Sequence, residues 1–189
     1  MSASNNVEIE RKFLVDKQAF LNATLPDHPQ HIISQGYWSS DNLPLHFTQL
    51  LEVLKPVVPS SEFAQIAQLG PQGLEARVRQ RNDEFFATFK GRTNLDSGGV
   101  LEFEYPLPSE PALFLLNATD YRIGKVRHCL PLGDLTLEVD VFEGLDLVLA
   151  EVEIPSSDTP LPPLPEWVGE EVTGQTMYMN RTLSTRLKM

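Results

Sequence analysis

Val7-Glu-Ile-Glu-Arg-Lys-Phe-Leu-Val15 alternates charged and apolar side chains near the start of the chain. A strand turns successive side chains to opposite faces, so Glu8, Glu10 and Lys12 share one face while Val7, Ile9 and Phe13 share the other. Like-charged doublets with the same spacing recur at Arg77/Arg79, Glu102/Glu104, Lys125/Arg127, Glu138/Asp140 and Glu151/Glu153. A solvated strand face produces such alternation too. Two features weigh against that reading: the charges within each doublet match in sign, although neighbours on a solvated face are better mixed, and nearly every strong strand carries a doublet. Charged faces turned inward, with apolar faces covered by helices, account for both.

The pattern predicts an α+β fold: an eight-stranded antiparallel closed β-barrel with a charged lumen and helices packed outside. Such a lumen would hold the acids Glu8, Glu10, Glu102, Glu104, Glu138, Asp140, Glu151 and Glu153. It would also hold the bases Lys12, Arg77, Arg79, Arg81, Lys90, Lys125 and Arg127. The charges nearly cancel, but buried like-charge pairs stay costly without a ligand. Carboxylate clusters suit Mg²⁺ or Mn²⁺, and Arg and Lys clusters suit phosphate oxygens. A metal-bound polyphosphate satisfies both sets.

The remaining segments fit around these strands. Asp16 is placed to cap a short helix to about Asn22. Strands are expected near 32–39 (with Tyr37 and Trp38 facing opposite ways), at 100–105, 121–130, 134–142 and 147–154. A hairpin over 74–90 turns at Asn82-Asp83, and Asp96-Ser-Gly-Gly is a further turn. Residues 42–72 read as a helical insertion, interrupted by Pro56 and Pro59. A helix is expected over 109–117. The proline-rich stretch 155–165 reads as a linker, Pro165 as the start of a short helix, and 177–186 as a terminal helix.

The 189 residues suffice for a single domain over 1–189, with the insertion at about 42–72. A net charge of −11 argues against nonspecific nucleic-acid or anionic-membrane binding. One cysteine, Cys129, excludes an intramolecular disulfide and a thiolate zinc site. No signal sequence or bilayer-length apolar run is visible, so a cytoplasmic location is expected. His28, His31, His46 and His128 lack metal-ligand spacing, and no P-loop or nucleophile-elbow motif occurs.

The Glu8-Ile-Glu-Arg-Lys12 segment resembles the signature of the CYTH, or triphosphate tunnel metalloenzyme, superfamily. The resemblance continues in order through Gln35-Gly36-Tyr37, Ala76-Arg-Val-Arg79, Thr88-Phe-Lys90-Gly91 and Glu102-Phe-Glu104. It extends to Lys125-Val-Arg127, Leu137-Glu-Val-Asp140, Leu149-Ala-Glu-Val-Glu153 and Pro165-Glu-Trp-Val-Gly-Glu-Glu-Val-Thr-Gly174. It spans nearly the whole chain outside about 42–72. It implies Mg²⁺- or Mn²⁺-dependent hydrolysis or cyclisation of a small-molecule triphosphate within a tunnel. Glu8, Glu10, Glu151 and Glu153 would lead as metal ligands, with Glu102, Glu104, Glu138 and Asp140 as further candidates. Lys12, Arg77, Arg79, Lys90, Lys125 and Arg127 would bind phosphates, while Lys12 and Tyr37 would tune catalysis. Inorganic triphosphatase activity leads these expectations, ahead of adenylate cyclase, thiamine triphosphatase and a silent polyphosphate-binding module. A homodimer is compatible with the resemblance.

Overall fold

The computed structural model describes residues 9–69, 74–92 and 100–187. Its strands are β1 (Ile9–Val15), β2 (Gln30–Tyr37), β3 (Leu74–Arg81), β4 (Glu84–Arg92), β5 (Val100–Leu107), β6 (Tyr121–Leu132), β7 (Leu135–Phe142), β8 (Val148–Ile154) and β9 (Val168–Glu171). The helices are α1 (Lys17–Asn22), α2 (Leu43–Leu54), α3 (Ser60–Leu69), α4 (Ser109–Asn117) and α5 (Asn180–Ser184), the last preceded by a 3₁₀ turn at Thr176–Tyr178. Glu8 and the Asp96 turn lie outside the described residues.

The strands form one hydrogen-bonded series in the order β5-β4-β3-β2-β6-β7-β8-β1-β9. This corrects the expected eight-stranded closed barrel: the sheet has nine strands and ends at β5 and β9. The physical reason lies on β1. One edge pairs with β8 and the other with β9, where Phe13 faces Glu171 and Val15 faces Val168 across an irregular register. No edge of β1 is left to close the series. The terminal strands carry the usual edge protections, Pro106 in β5 and the acidic Val-Gly-Glu-Glu of β9. A charged face in each of two compact units replaces the predicted lumen.

The first unit comprises residues 34–122. Its β3-β4-β5 meander turns Ala76, Val78, Ala87, Phe89, Phe103 and Tyr105 into one apolar cluster. Helix α2 covers this face with Phe47, Leu50 and Leu54, α3 with Ile66, and α4 with Leu115 and Leu116. Asn82 makes the β3–β4 turn at φ 54°, a left-handed conformation that asparagine tolerates. Residues 43–54 and 60–69 are helical, with Pro44 at the start of α2 and Lys55 at its end, and Pro56 and Pro59 lie in the break between the two helices.

The second unit comprises residues 9–33 and 123–187. Leu130, Leu137, Val139, Ala150, Val152 and Phe13 line its apolar face. Asp16 caps α1 by accepting from the Ala19 amide at 2.9 Å, and α1 buries Phe20 in this cluster. The proline-rich stretch is more than a linker, because Leu161 and Leu164 pack here with Trp167. Pro165 starts a turn leading into β9, not the expected helix. The extended backbone gives β1 its second partner.

Two glycines with close neighbours should respond differently to substitution. A Cβ on buried Gly36 would fall 2.3 Å from Thr119 Oγ1 and 2.8 Å from Thr119 Cβ. Thr119 is itself buried and donates to the Leu116 carbonyl at 2.7 Å, so it has little room to move. Gly36→Ala is expected to cost about 1–3 kcal/mol, read as a lower thermal midpoint. A Cβ on Gly124 would instead meet the carboxylate end of Glu143, at 2.3 Å. That end can rotate away, so Gly124→Ala should melt close to the parent.

Candidate active site

The second unit brings together most of the expected acids. Strand register places Lys12 opposite Glu151 and Glu10 opposite Glu153. It also places Glu138 opposite Glu151, and Asp140 opposite Arg127. Directly paired residues share a face, so β6, β7, β8 and β1 present Lys125, Arg127, Glu138, Asp140, Glu151, Glu153, Glu10 and Lys12 together. The opposite face is the apolar cluster described above. This is the outcome expected from alternation, within one unit.

Arg127 organises the center of that face. Its Nε and Nη2 each donate to Asp140 at 2.7 Å, Nη2 also reaches Glu151 at 2.8 Å, and Nη1 contacts Glu138. Lys125, only 2% exposed, contacts the fully buried Asp140. Lys12 bridges Glu151 at 2.9 Å and Glu10 at 3.3 Å. Glu153 is exposed and forms no salt bridge among the described residues.

These contacts separate the carboxyl groups electrostatically. Burial pushes the Glu151 carboxyl up, but the charges of Lys125, Arg127 and Lys12 overcome it and hold the group at about 2. Burial raises Glu138, and the charges of Asp140, Glu151 and Glu153 support that rise against the pull of Arg127. Burial also lowers Lys125 despite its contact with Asp140. Lys12 is raised, because Glu151 and Glu10 outweigh its burial.

The first unit brings together the other predicted residues. Arg77 lies opposite Thr88, which lies opposite Glu104; Lys90 lies opposite Glu102. Lys90 pairs with Glu102 at 2.7 Å. Arg77 lies 3.7 Å from Glu102 and 3.6 Å from Glu104, and Arg79 lies 3.9 Å from Glu104. The Thr88 hydroxyl donates to Glu104 at 2.7 Å. Burial would raise Glu104, but Arg79, Thr88 and Arg77 hold it below the usual carboxylate range. Tyr37 is buried and electrostatically coupled to Arg77, whereas Trp38 joins the apolar cluster. Their opposite directions match the sequence reading.

The chain is 33% identical over 187 residues to an inorganic triphosphatase from Nitrosomonas europaea, covering 94% of this chain and 96% of that relative. The chain belongs to the inorganic triphosphatase family. It also shares 37% identity over 113 residues with an inorganic triphosphatase from Acetivibrio thermocellus, covering 57% of this chain and 69% of that protein. A crystal structure of an inorganic triphosphatase aligns with a TM-score of 0.51 and 29% identity, covering 97% of this chain and 95% of the other. No family profile matches the chain. The triphosphatase relatives support membership of the triphosphate tunnel metalloenzyme superfamily.

In this inorganic triphosphatase family member, the contacts of two supporting residues were not legible in the sequence. Gln35, wholly buried, donates to the Tyr37 hydroxyl at 2.9 Å; its position two residues before Tyr37 was the available signal. Thr173 accepts from the Lys12 backbone amide at 3.0 Å and donates to Glu171 at 2.7 Å. Nothing local in the sequence joins Thr173 to β1. His46 stacks on Trp38, and His128 meets the edge of Phe20. Among the described residues, no helix is long and apolar enough to cross a membrane.

The depressed Glu151 carboxyl gives a signed stability prediction for metal-free protein. Its ordinary value is 4.5 and its folded value about 2. Its contribution is therefore full above about 4.5 and is lost as pH falls toward about 2. Glu138 has the opposite sign, favouring the fold in acid and losing that contribution as pH rises. Urea midpoints measured across this acid range should fall with pH, and Glu151→Gln should flatten the fall.

Proposed function

We propose that the chain hydrolyses inorganic tripolyphosphate to pyrophosphate and phosphate with a divalent cation, Mg²⁺ or Mn²⁺. The observation carrying this reading is the facing of Glu10 and Glu153 beside Lys12, Glu151 and Arg127 on one sheet face. Like charges placed directly opposite across strands are unfavourable alone, and a hard cation relieves that repulsion with oxygen ligands. Among the described residues, no group of three His, Cys, Asp or Glu side chains is gathered for a metal. The donor chemistry nevertheless fits. Glu10 and Glu153 would lead the ligands, joined by Glu8, which lies outside the described residues, and Glu151. Glu138 and Asp140 would serve through their hold on Arg127, and Glu102 and Glu104 through Lys90 and Arg77.

A bound cation would supply charge neutralisation. The chain's cations would do the remaining electrostatic work. Lys12, Lys125 and Arg127, and in the first unit Arg77, Arg79 and Lys90, would bind phosphate oxygens. Lys12 in the second unit and Tyr37 beside Arg77 in the first are the residues that would tune catalysis. Phosphoryl transfer depends chiefly on positioning and neutralisation, so turnover requires the cations' geometry more than a covalent nucleophile.

The test compares tripolyphosphate, ATP and thiamine triphosphate under Mg²⁺ and Mn²⁺. The expected result is the highest kcat/KM for tripolyphosphate. Cyclic AMP as the main product from ATP, with tripolyphosphate inert, would select the cyclase reading. Tight tripolyphosphate binding without turnover would select the silent-module reading.

A further inference from the structure

Gln35 and Tyr37 stand two residues apart on β2 and therefore share a face. Gln35 is 0% exposed and Tyr37 is 1% exposed. The Gln35 Nε2 donates to the Tyr37 hydroxyl oxygen at 2.9 Å. Its Oε1 is buried without a hydrogen-bond partner among the described residues. An orphan buried acceptor is destabilising, and an apolar side chain would avoid that cost. The useful end of this amide is its N–H.

Burial holds the Tyr37 hydroxyl in its protonated form, while the neighbouring Arg77 guanidinium favours the ionised oxygen. Glu75 acts in the opposite direction to Arg77 by charge. The Gln35 amide N–H thus meets the electron-rich phenol oxygen, with the Arg77 charge acting on it. No acceptor for the hydroxyl hydrogen occurs among the described hydrogen bonds.

We propose that Gln35 is a positioning residue that fixes Tyr37 as a hydrogen-bond donor to a phosphate oxygen of the triphosphate beside Arg77. This rests on the triphosphatase reading above. Tyr37 then keeps its proton through the reaction, acting as a neutral donor rather than as a base. Gln35 touches no substrate; it sets which way the phenol hydrogen points.

Gln35→Glu supplies an acceptor in place of the donor and turns the phenol hydrogen toward residue 35. It should lower kcat/KM about tenfold, close to the loss in Tyr37→Phe, while Gln35→Met should lose about threefold. In a Tyr37→Phe background neither Gln35 change should cost further activity. Gln35→Glu matching wild type would overturn the proposal by showing that the amide accepts from the phenol. An undiminished Gln35→Met effect in Tyr37→Phe would overturn it by showing a merely structural role.

A second readout needs no turnover and protects the test if buried Gln35→Glu fails to fold. In ¹⁵N-labelled, ligand-free protein, one Gln35 side-chain amide hydrogen should be shifted downfield and slow to exchange. Tyr37→Phe should remove both signatures; an unchanged Gln35 amide would overturn the contact itself. Loss of the signature alongside inert wild-type protein would instead locate the failure in the triphosphatase reading.

Discussion

Arg127→Met should lower the free energy of unfolding by about 3–5 kcal/mol, the scale for breaking a buried ion pair by removing one partner. Arg127 contacts Asp140, Glu138 and Glu151, two of which are almost completely buried. Methionine replaces much of the apolar stem but leaves these carboxylates without the guanidinium. Lysine would not restore it, because a point charge cannot span the three acceptors with a planar fork. Burial and the surrounding acids put the Arg127 guanidinium under opposed influences, and the acids win.

The double substitution Arg127→Met with Asp140→Asn should recover part of that loss, because it removes the most deeply buried orphan charge. Urea denaturation at neutral pH reads both effects. A loss below about 1 kcal/mol in Arg127→Met would place this group in the range of an exposed ion pair, contrary to its organising role. Activity should disappear in the single variant, through loss of both the phosphate-binding cation and the arrangement of Glu138 and Glu151.

Glu10→Gln and Glu153→Gln should have the second large effect, with the opposite balance between stability and activity. Both glutamates are exposed, and neither has the multiple buried contacts of Glu151. Their neutral replacements should fold with little change in thermal midpoint, since exposed pairs contribute little. Turnover should nevertheless fall at least about 10²-fold, the scale reached by losing even supporting contacts around a metal. The metal concentration needed for half-maximal activity should rise. Calorimetric titration with Mn²⁺ tests ligand loss independently of turnover; unchanged metal binding in both variants would contradict this assignment.

Alternation read the faces correctly in β1 and β6–β8 because the apolar residues between the charges face a real core. Val139, Ala150 and Val152 are buried, and the charged residues between them point the other way. The partners were less legible. Glu10 opposite Glu153, and Lys12 opposite Glu151, depend on the register of strands far apart in sequence. No local spacing supplies that register.

The closed barrel failed for a related reason. Parity identifies a strand's face but says nothing about its two edges. Val168–Glu171 is short and lacks the charged-apolar alternation of the other strands, yet it takes the free edge of β1. The residues before it, read as a linker, instead bury Leu161 and Leu164. At Gln35 a partial signal existed, because it stands two positions before Tyr37 and so shares its strand face. Its burial and orphan oxygen required the folded environment.

The most direct test follows tripolyphosphate consumption by ³¹P NMR as Mg²⁺ or Mn²⁺ is added to metal-stripped protein. Hydrolysis of its terminal phosphoanhydride predicts equal amounts of pyrophosphate and phosphate, with no turnover before the cation is restored. Persistence of tripolyphosphate under both cations, in folded wild-type protein, would contradict the account.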